Sequence, residues 1–398
     1  MMQNKGQVGV VVAILVVVLL VSVLAVIQLH YVPRWMEERE AEHMDVVTNQ
    51  FANLKYAVDL ISIGKISSPI TNSITLGSKE LPYFLSSRSF DSLQILSSHG
   101  SNFTFVLEIN GYGYEEKNVT YGNGTLSNII SVKSLELNIN KLNIGDYYNI
   151  SFSDNSSISI KVDEYGDYCR INLTVKGGNE IILNQTIFSG LDIGSSFFID
   201  LMNENYAFSK KVFPYMARPF NATFSVSNGN FCIIYEGYIT ENKKLSFPLG
   251  TIIYKADNAY FVDQSYVYEG GAVFLSQHDG NTILFPPSLE IENSSRIVNL
   301  TLIDVIAMPG KAGVAGYGTY LVRVNYSSSA SYKYFGNVTI KVESNYNYSW
   351  NRFLNKTFNE SGIEYEYIES SGEFRFNDVE FAINIAKVYA QVGPGWVE

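Results

Sequence analysis

The chain is poor in the residues that usually carry chemistry. Histidine occurs only four times in 398 residues, as His30, His43, His99 and His278. No two have metal-ligand spacing, and each reads as a surface residue. Cysteine occurs twice, as Cys169 and Cys232. That is too few for a thiolate metal site, and they form no CxxC pair. In an oxidising compartment they are a disulfide candidate, and the loop they would close is worth roughly 4 kcal/mol; two buried thiols are the other reading. There is no block of Lys or Arg, and the formal net charge is -11. A nucleic-acid partner needs a basic footprint, so none is expected. Charged residues make up only 17% of the chain, whereas aromatics reach 14%, which argues against disorder.

Catalytic motifs are missing too. There is no GxSxG elbow and no HExxH. The stretch Gly310–Gly318 is glycine-rich, but Lys311 precedes most of the glycines and Tyr320–Val324 reads as a strand. It is expected to be a hairpin loop rather than a phosphate cradle. Asp163, Glu164 and Asp167 cluster around Gly166 without the spacing of a calcium loop, so a solvated turn is expected. No cofactor, metal or enzymatic activity is implied. A pair of carboxylates for glycoside hydrolysis would be spatial rather than sequential, which leaves an anchored glycoside hydrolase as an alternative.

What the chain does have is one long apolar run. Gln7–Val32 contains no Asp, Glu, Lys or Arg, and Val10–Val26 is nearly all Val, Leu, Ile and Ala. About 20 such residues cross a hydrocarbon core of about 30 Å. Residues 7–32 are therefore expected to form a transmembrane helix. Lys5 precedes it and Arg34 and Arg39 follow, so charge alone does not orient it. The brevity of the leader, residues 1–6, places the N-terminus in the cytoplasm and the C-terminal region outside. A cleaved signal peptide, with Val23 and Ala25 as its small residues, is the competing reading.

Pro33 is expected to end or kink this helix. A second, amphipathic helix follows within residues 33–64. Met44, Val47, Phe51, Leu54, Val58 and Ile61 recur at spacings of three and four, with Asp45, Asn49, Asn53 and Asp59 off the stripe. Gly64 is the expected C-cap. The stripe calls for a partner, either the chain's own β region or the same helix of another copy.

Beyond Lys65 the period changes to two. Leu135, Leu137 and Ile139 alternate with polar residues, as do Ile158, Ile160 and Val162, and then Val379, Phe381, Ile383 and Ile385. Tyr260–Phe285 reads as a three-stranded meander, with turns at Glu269–Gly271 and His278–Gly280. No long helix is expected among the strands. The fold class is an N-terminal transmembrane helix continued by an amphipathic helix, then a mainly β, antiparallel sandwich-like ectodomain. A boundary near residue 205, within the weakly strand-like stretch 189–216, would give β regions of 65–205 and 206–398; one domain is equally consistent.

Fifteen Asn-x-Ser/Thr sequons occur, where composition predicts about five. They are Asn102, Asn118, Asn123, Asn149, Asn155, Asn172, Asn184, Asn221, Asn293, Asn299, Asn325, Asn337, Asn347, Asn355 and Asn359. All lie in the β-rich part. If glycosylated, they mark loops and outward strand positions of an extracellular region.

The N-terminus Met1-Met2-Gln3-Asn4-Lys5-Gly6-Gln7, followed at once by the apolar helix, resembles the leader of archaeal type IV pilin-like proteins and archaellins. The Tyr260–Gln277 stretch is similar to segments of archaeal pilin-like surface proteins. The resemblance implies that a prepilin peptidase cuts between Gly6 and Gln7. It also implies a long N-terminal helix, half in the membrane and half against a β domain. Val11 stands where many pilins carry an acidic residue, and Pro33 interrupts the helix pattern. The function so implied is adhesion or envelope and filament structure. Other pilin-like subunits would be partners through the Met44–Ile61 stripe. A non-polymerising anchored receptor or envelope component is the alternative.

Overall fold

The computed structural model describes residues 4–78, 89–121, 123–139, 144–153, 155–190, 197–200, 220–226 and 231–393. The chain opens with a helix that is hydrogen-bonded from end to end: α1 (Asn4–Val26), a π-helical turn (Ile27–Tyr31) and α2 (Val32–Gly64). Pro33 does not end it. The Val32 N–H reaches back to the Ile27 carbonyl. This widened turn accommodates a proline that lacks an N–H and crowds the turn before it. One helix, Gly9–Gly64, is thus long and apolar enough to cross a membrane, and its apolar window is entirely unburied.

The C-terminal cap lies one residue later than expected. Lys65, not Gly64, takes the left-handed conformation, at φ 49°, and the Ile66 N–H returns to the Ile61 carbonyl at 3.1 Å. Gly64 serves a different need: a Cβ there would sit 2.9 Å from the Ile66 side chain, which folds back over the helix end.

The remainder is mainly β, in two sheets. The strands are β1 (Ile70–Leu76), β2 (Asp91–Leu96), β3 (Phe103–Tyr121), β4 (Gly124–Ile139), β5 (Tyr147–Phe152), β6 (Ser157–Tyr165), β7 (Tyr168–Gly177), β8 (Glu180–Gly190), β9 (Phe197–Asp200), β10 (Phe220–Val226) and β11 (Phe231–Leu249). There follow β12 (Thr251–Lys255), β13 (Gln264–Glu269), β14 (Ala272–Gln277), β15 (Gly280–Phe285), β16 (Ser288–Glu292), β17 (Ile297–Ala307), β18 (Gly313–Gly316) and β19 (Gly318–Glu343). After α3 (Asn347–Ser361) come β20 (Glu366–Ile368) and β21 (Glu373–Val392). The larger sheet runs β16-β17-β21-β19-β3-β11-β4-β10-β5-β6-β7-β8, with β1 on β19, β20 on β21 and β9 on β4. The smaller runs β15-β14-β13-β12-β2-β18. Pairing among the described strands is antiparallel except for β17 with β21, which is parallel.

Strands from before and after residue 205 interleave in both sheets: β3 lies between β19 and β11, and β2 between β12 and β18. Most of the stretch 189–216 lies outside the described residues. The long strands β3 and β11, each of 19 residues, carry the larger sheet from the helix-bearing body out to the hairpins β4–β10.

Two apolar cores are described in the helix-bearing part of the body. In the first, the α2 stripe packs between the sheets, against Leu76, Leu93, Ile252, Tyr254, Tyr266, Val322 and Val388, among others. All six stripe residues, Met44, Val47, Phe51, Leu54, Val58 and Ile61, are buried there. The chain's own β body is therefore the stripe's partner. In the second core, Trp350, Leu354 and Phe358 of α3 pack on Phe103, Phe274, Phe374, Phe376 and Phe381. The 15-residue helix α3 corrects the expectation that no long helix stands among the strands.

The alternating patterns hold where side chains are described. Ile158, Ile160 and Val162 point inward, as do Val379, Phe381, Ile383 and Ile385. Leu135, Leu137 and Ile139 are on β4, but their side chains lie outside the described residues. The meander is real, with β13, β14 and β15 paired in sequence. Its first strand, however, begins at Gln264, and Tyr260–Asp263 is a loop. The glycine-rich stretch is not a hairpin loop throughout, because Gly313–Gly316 forms strand β18 on β2.

Candidate functional site

The most elaborate polar chemistry lies where α2 enters the body. Glu40 is fully buried, and its carboxylate accepts the backbone N–H groups of Ala259 (3.1 Å), Tyr260 (2.8 Å) and Phe261 (2.6 Å). An ionised carboxylate is an acceptor with room for several donors, so three amides satisfy it in place of water. The bond set pins the loop between β12 and β13 to the helix.

One turn further along, His43 is buried, which corrects its reading as a surface residue. Its Nε2 lies 3.0 Å from Asp91 Oδ2 and 3.0 Å from the Tyr254 hydroxyl. Asp91 Oδ2 also accepts the Gly77 N–H at 2.6 Å and the Tyr254 hydroxyl. Burial and the Asp91 carboxylate together hold the Tyr254 phenol far above its ordinary pKa. The Tyr254 hydroxyl, the Gly77 N–H and His43 Nε2 thus converge on one carboxylate oxygen, Asp91 Oδ2, while the buried Oδ1 has no hydrogen-bond partner among the described residues. Thr48 and Gln264 continue the set by bonding the Tyr266 hydroxyl at 2.7 and 2.8 Å. The physical effect is to fix helix, strand ends and loop as one unit.

At the other end of the body, Glu269 is buried and accepts bonds from Trp350 Nε1 (2.8 Å) and Ser344 Oγ (2.6 Å). Burial outweighs both bonds and pushes its pKa up to about 7. Two further surface grooves lie elsewhere, besides one of about 310 Å³ between α2 and β1 that includes Gln50, Tyr56 and Asn72. One, of about 390 Å³, lies between α3 and β15 and includes Arg352, Phe353 and Lys356. The other, of about 430 Å³, lies among β11, β19 and β21 and includes Phe247, Tyr332, Asp304 and Lys387. Among the described residues, no group of three or more His, Cys, Asp or Glu could hold a metal ion.

The other sequence-derived positions are dispersed. His30, His99 and His278 are exposed. Asp163 pairs with Lys161 of the same strand (2.9 Å) and, across the β6–β7 hairpin, with Arg170 (3.4 Å), and Lys161 chiefly lowers its pKa. Glu164 and Asp167 are exposed and outside that pairing. Gly6 and Gln7 fall in the first turns of α1. Cys169 is on β7 and Cys232 on β11, strands that are not neighbours; their side chains lie outside the described residues. Among the sequons, Asn102, Asn123, Asn155, Asn184, Asn293, Asn337, Asn347 and Asn359 are exposed, and Asn149, Asn172, Asn299, Asn325 and Asn355 half-buried. The side chains of Asn118 and Asn221 lie outside the described residues. Asn347, Asn355 and Asn359 stand on α3, not on the loops or strands expected of them.

Glu40 and His43 were legible only as polar interruptions. Both fall on the buried face of α2, which runs Met36, Glu40, His43, Val47, Phe51 and onward, and that register is the signal that would have found them.

Residues 227–377 match a protein family described as a family of unknown function (DUF7289). The match begins at β11 and includes α3, but it excludes α1 and α2. No curated protein matches the chain.

Proposed function

We propose that the chain is a membrane-anchored surface protein of the pilin-like kind, with an adhesive or envelope-structural role and no catalysis. The observation that carries this reading is the continuity of one helix. Its first half presents apolar side chains to the surroundings along Val10–Val26, and its second half is the core of the β body. A helix that is apolar all round and unburied needs a hydrocarbon environment. In this reading the N-terminus is cytoplasmic and the β body extracellular. The sequons support that orientation, because no described sequon asparagine is buried.

The burial of the stripe favours a second reading over a polymerising one. Met44–Ile61 side chains already have their partner, and Val11 offers no charge to a neighbouring N-terminus. The alternative is an anchored receptor or envelope component that never polymerises.

Mass spectrometry of membrane-extracted protein tests both. A mature N-terminus at Gln7, with hexose-bearing peptides at exposed sequons, is the expected result. Met1 or Met2 retained would favour the non-polymerising reading. Protease accessibility of the β body only after cell lysis would overturn the topology.

A further inference from the structure

The β body begins where the apolar helix ends. Leu29 and Tyr31 are exposed, whereas Val32 is 6% exposed and Met36 fully buried. At about 1.5 Å per residue, the lower edge of the body therefore lies within one helical turn of Tyr31. The Tyr31 and Trp35 rings meet there at a tilt, with centroids 5.8 Å apart, at the level where such rings prefer to sit in a bilayer.

Several loops converge on this end and are tied to one another. Glu40 holds the loop Ala259–Phe261, and the Phe90 N–H donates to the Asp257 carbonyl at 3.3 Å. Gly77 passes so close to Tyr317 that a Cβ on it would lie 2.8 Å from the Tyr317 Cβ. From these fixed loops Phe90, Tyr260, Val262 and Tyr317 project with exposures of 59, 39, 51 and 59%. Strand β13 gives the direction. It starts at Gln264 beside α2 and ends at Glu269 beside Trp350 of α3, so α3 marks the far end.

We infer that this end of the body is a seat on the lipid surface, in which Phe90, Tyr260, Val262 and Tyr317 join Tyr31 and Trp35 at the boundary between headgroups and acyl chains. This rests on the membrane-anchor reading. Aromatic rings gain there by burying an apolar body while keeping polar atoms wet. Charges close in sequence are mixed with an acidic excess, Asp257, Asp263, Glu37, Glu38 and Glu42 against Arg34, Arg39 and Lys255, so the attraction is to the interface itself more than to anionic lipids. The Glu40 clasp then has a purpose: it holds an amphipathic loop in one posture against the membrane.

The test uses the full chain in phosphatidylcholine nanodiscs, with and without lipids brominated on the acyl chains. Emission added by Val262→Trp is compared with that added by Tyr348→Trp, an exposed position on α3. Wild type minus Trp35→Phe reports Trp35. The expected result is loss of the Val262→Trp emission by a fraction similar to that of Trp35, unchanged when anionic lipid is added, with Tyr348→Trp unquenched. Quenching of Trp35 without quenching at residue 262 overturns the seat and leaves the anchor standing. Absence of quenching at both positions overturns the anchor, and the seat with it.

Discussion

His43 Nε2 lies 3.0 Å from Asp91 Oδ2, joining the middle of α2 to the start of β2 across 48 residues of sequence. The same oxygen holds the Gly77 N–H and the Tyr254 hydroxyl. One carboxylate thus closes the contact among helix, β1, β2 and β12. Replacing it by Ala leaves three donors without an acceptor in a buried site. Asp91→Ala is expected to cost about 3–5 kcal/mol, against about 1 kcal/mol for Tyr254→Phe, which removes one donor of three. Urea unfolding of the detergent-solubilised protein checks the order. Equal costs would show that the carboxylate is not the centre of the set.

Helix α2 supplies a sharper contrast between its two faces. Phe51 is fully buried, with its ring 6.1 Å from that of Tyr254 and 5.6 Å from that of Tyr266. Phe51→Ala opens a cavity in the core and is expected to cost about 3–5 kcal/mol. Leu60, about two and a half turns on and 42% exposed, is expected to tolerate Ala within about 0.5 kcal/mol. Were the stripe a subunit interface, Phe51→Ala would change assembly while leaving the monomer's unfolding midpoint unmoved; the expected outcome is the reverse.

That stripe is also the part of the fold most legible in the sequence, because a 3.6-residue period survives any neighbour. Glu40 and His43 share its register but were hidden by their polarity. Asp91, the partner of His43, lies 48 residues away, and Ala259–Phe261, the partners of Glu40, lie 219–221 away, and no local pattern announces such a pairing. Helix α3 was hidden differently. Its Asn- and Ser-rich composition has weak helix propensity, while the spacing of Trp350, Leu354 and Phe358 by fours was the signal. Strand β18 carries no period-two signature, because its glycines lack an alternating face. Which strands pair, including the parallel β17–β21, is set by contacts that local periodicity does not encode.

Glu269 gives the body a pH dependence of definite sign. Burial raises its pKa from the ordinary 4.5 to about 7 in the folded protein. The folded state therefore binds the proton more tightly than the unfolded chain, and stability is fully present below about pH 4.5 and declines as pH rises through 7. The loss from this group is on the order of 3 kcal/mol. Glu269→Gln keeps an oxygen for Trp350 Nε1 and Ser344 Oγ without the charge. It is expected to be more stable than wild type at pH 8, and the two should converge toward pH 4.5 when unfolding free energies are measured across that range. A constant difference at all pH values would show that Glu269 is not protonated preferentially in the folded state.

Glu40 makes a separable prediction, because its three bonds all go to one loop. The Ala259, Tyr260 and Phe261 amides have no strand partner, since β13 starts only at Gln264. Glu40→Ala therefore releases them together. Charge-assisted bonds of this kind contribute about 1.5–3 kcal/mol each when buried, but the freed amides can turn to water once the loop moves, which reduces the net cost. Hydrogen exchange at residues 259–261 is expected to accelerate strongly, while exchange in β13 and β14, held by their own ladder, stays near wild type. Glu40→Gln retains one carbonyl oxygen as acceptor and should fall between the two. If exchange rose equally throughout the smaller sheet, the carboxylate would be supporting the whole core, and the loop would not be the element it governs.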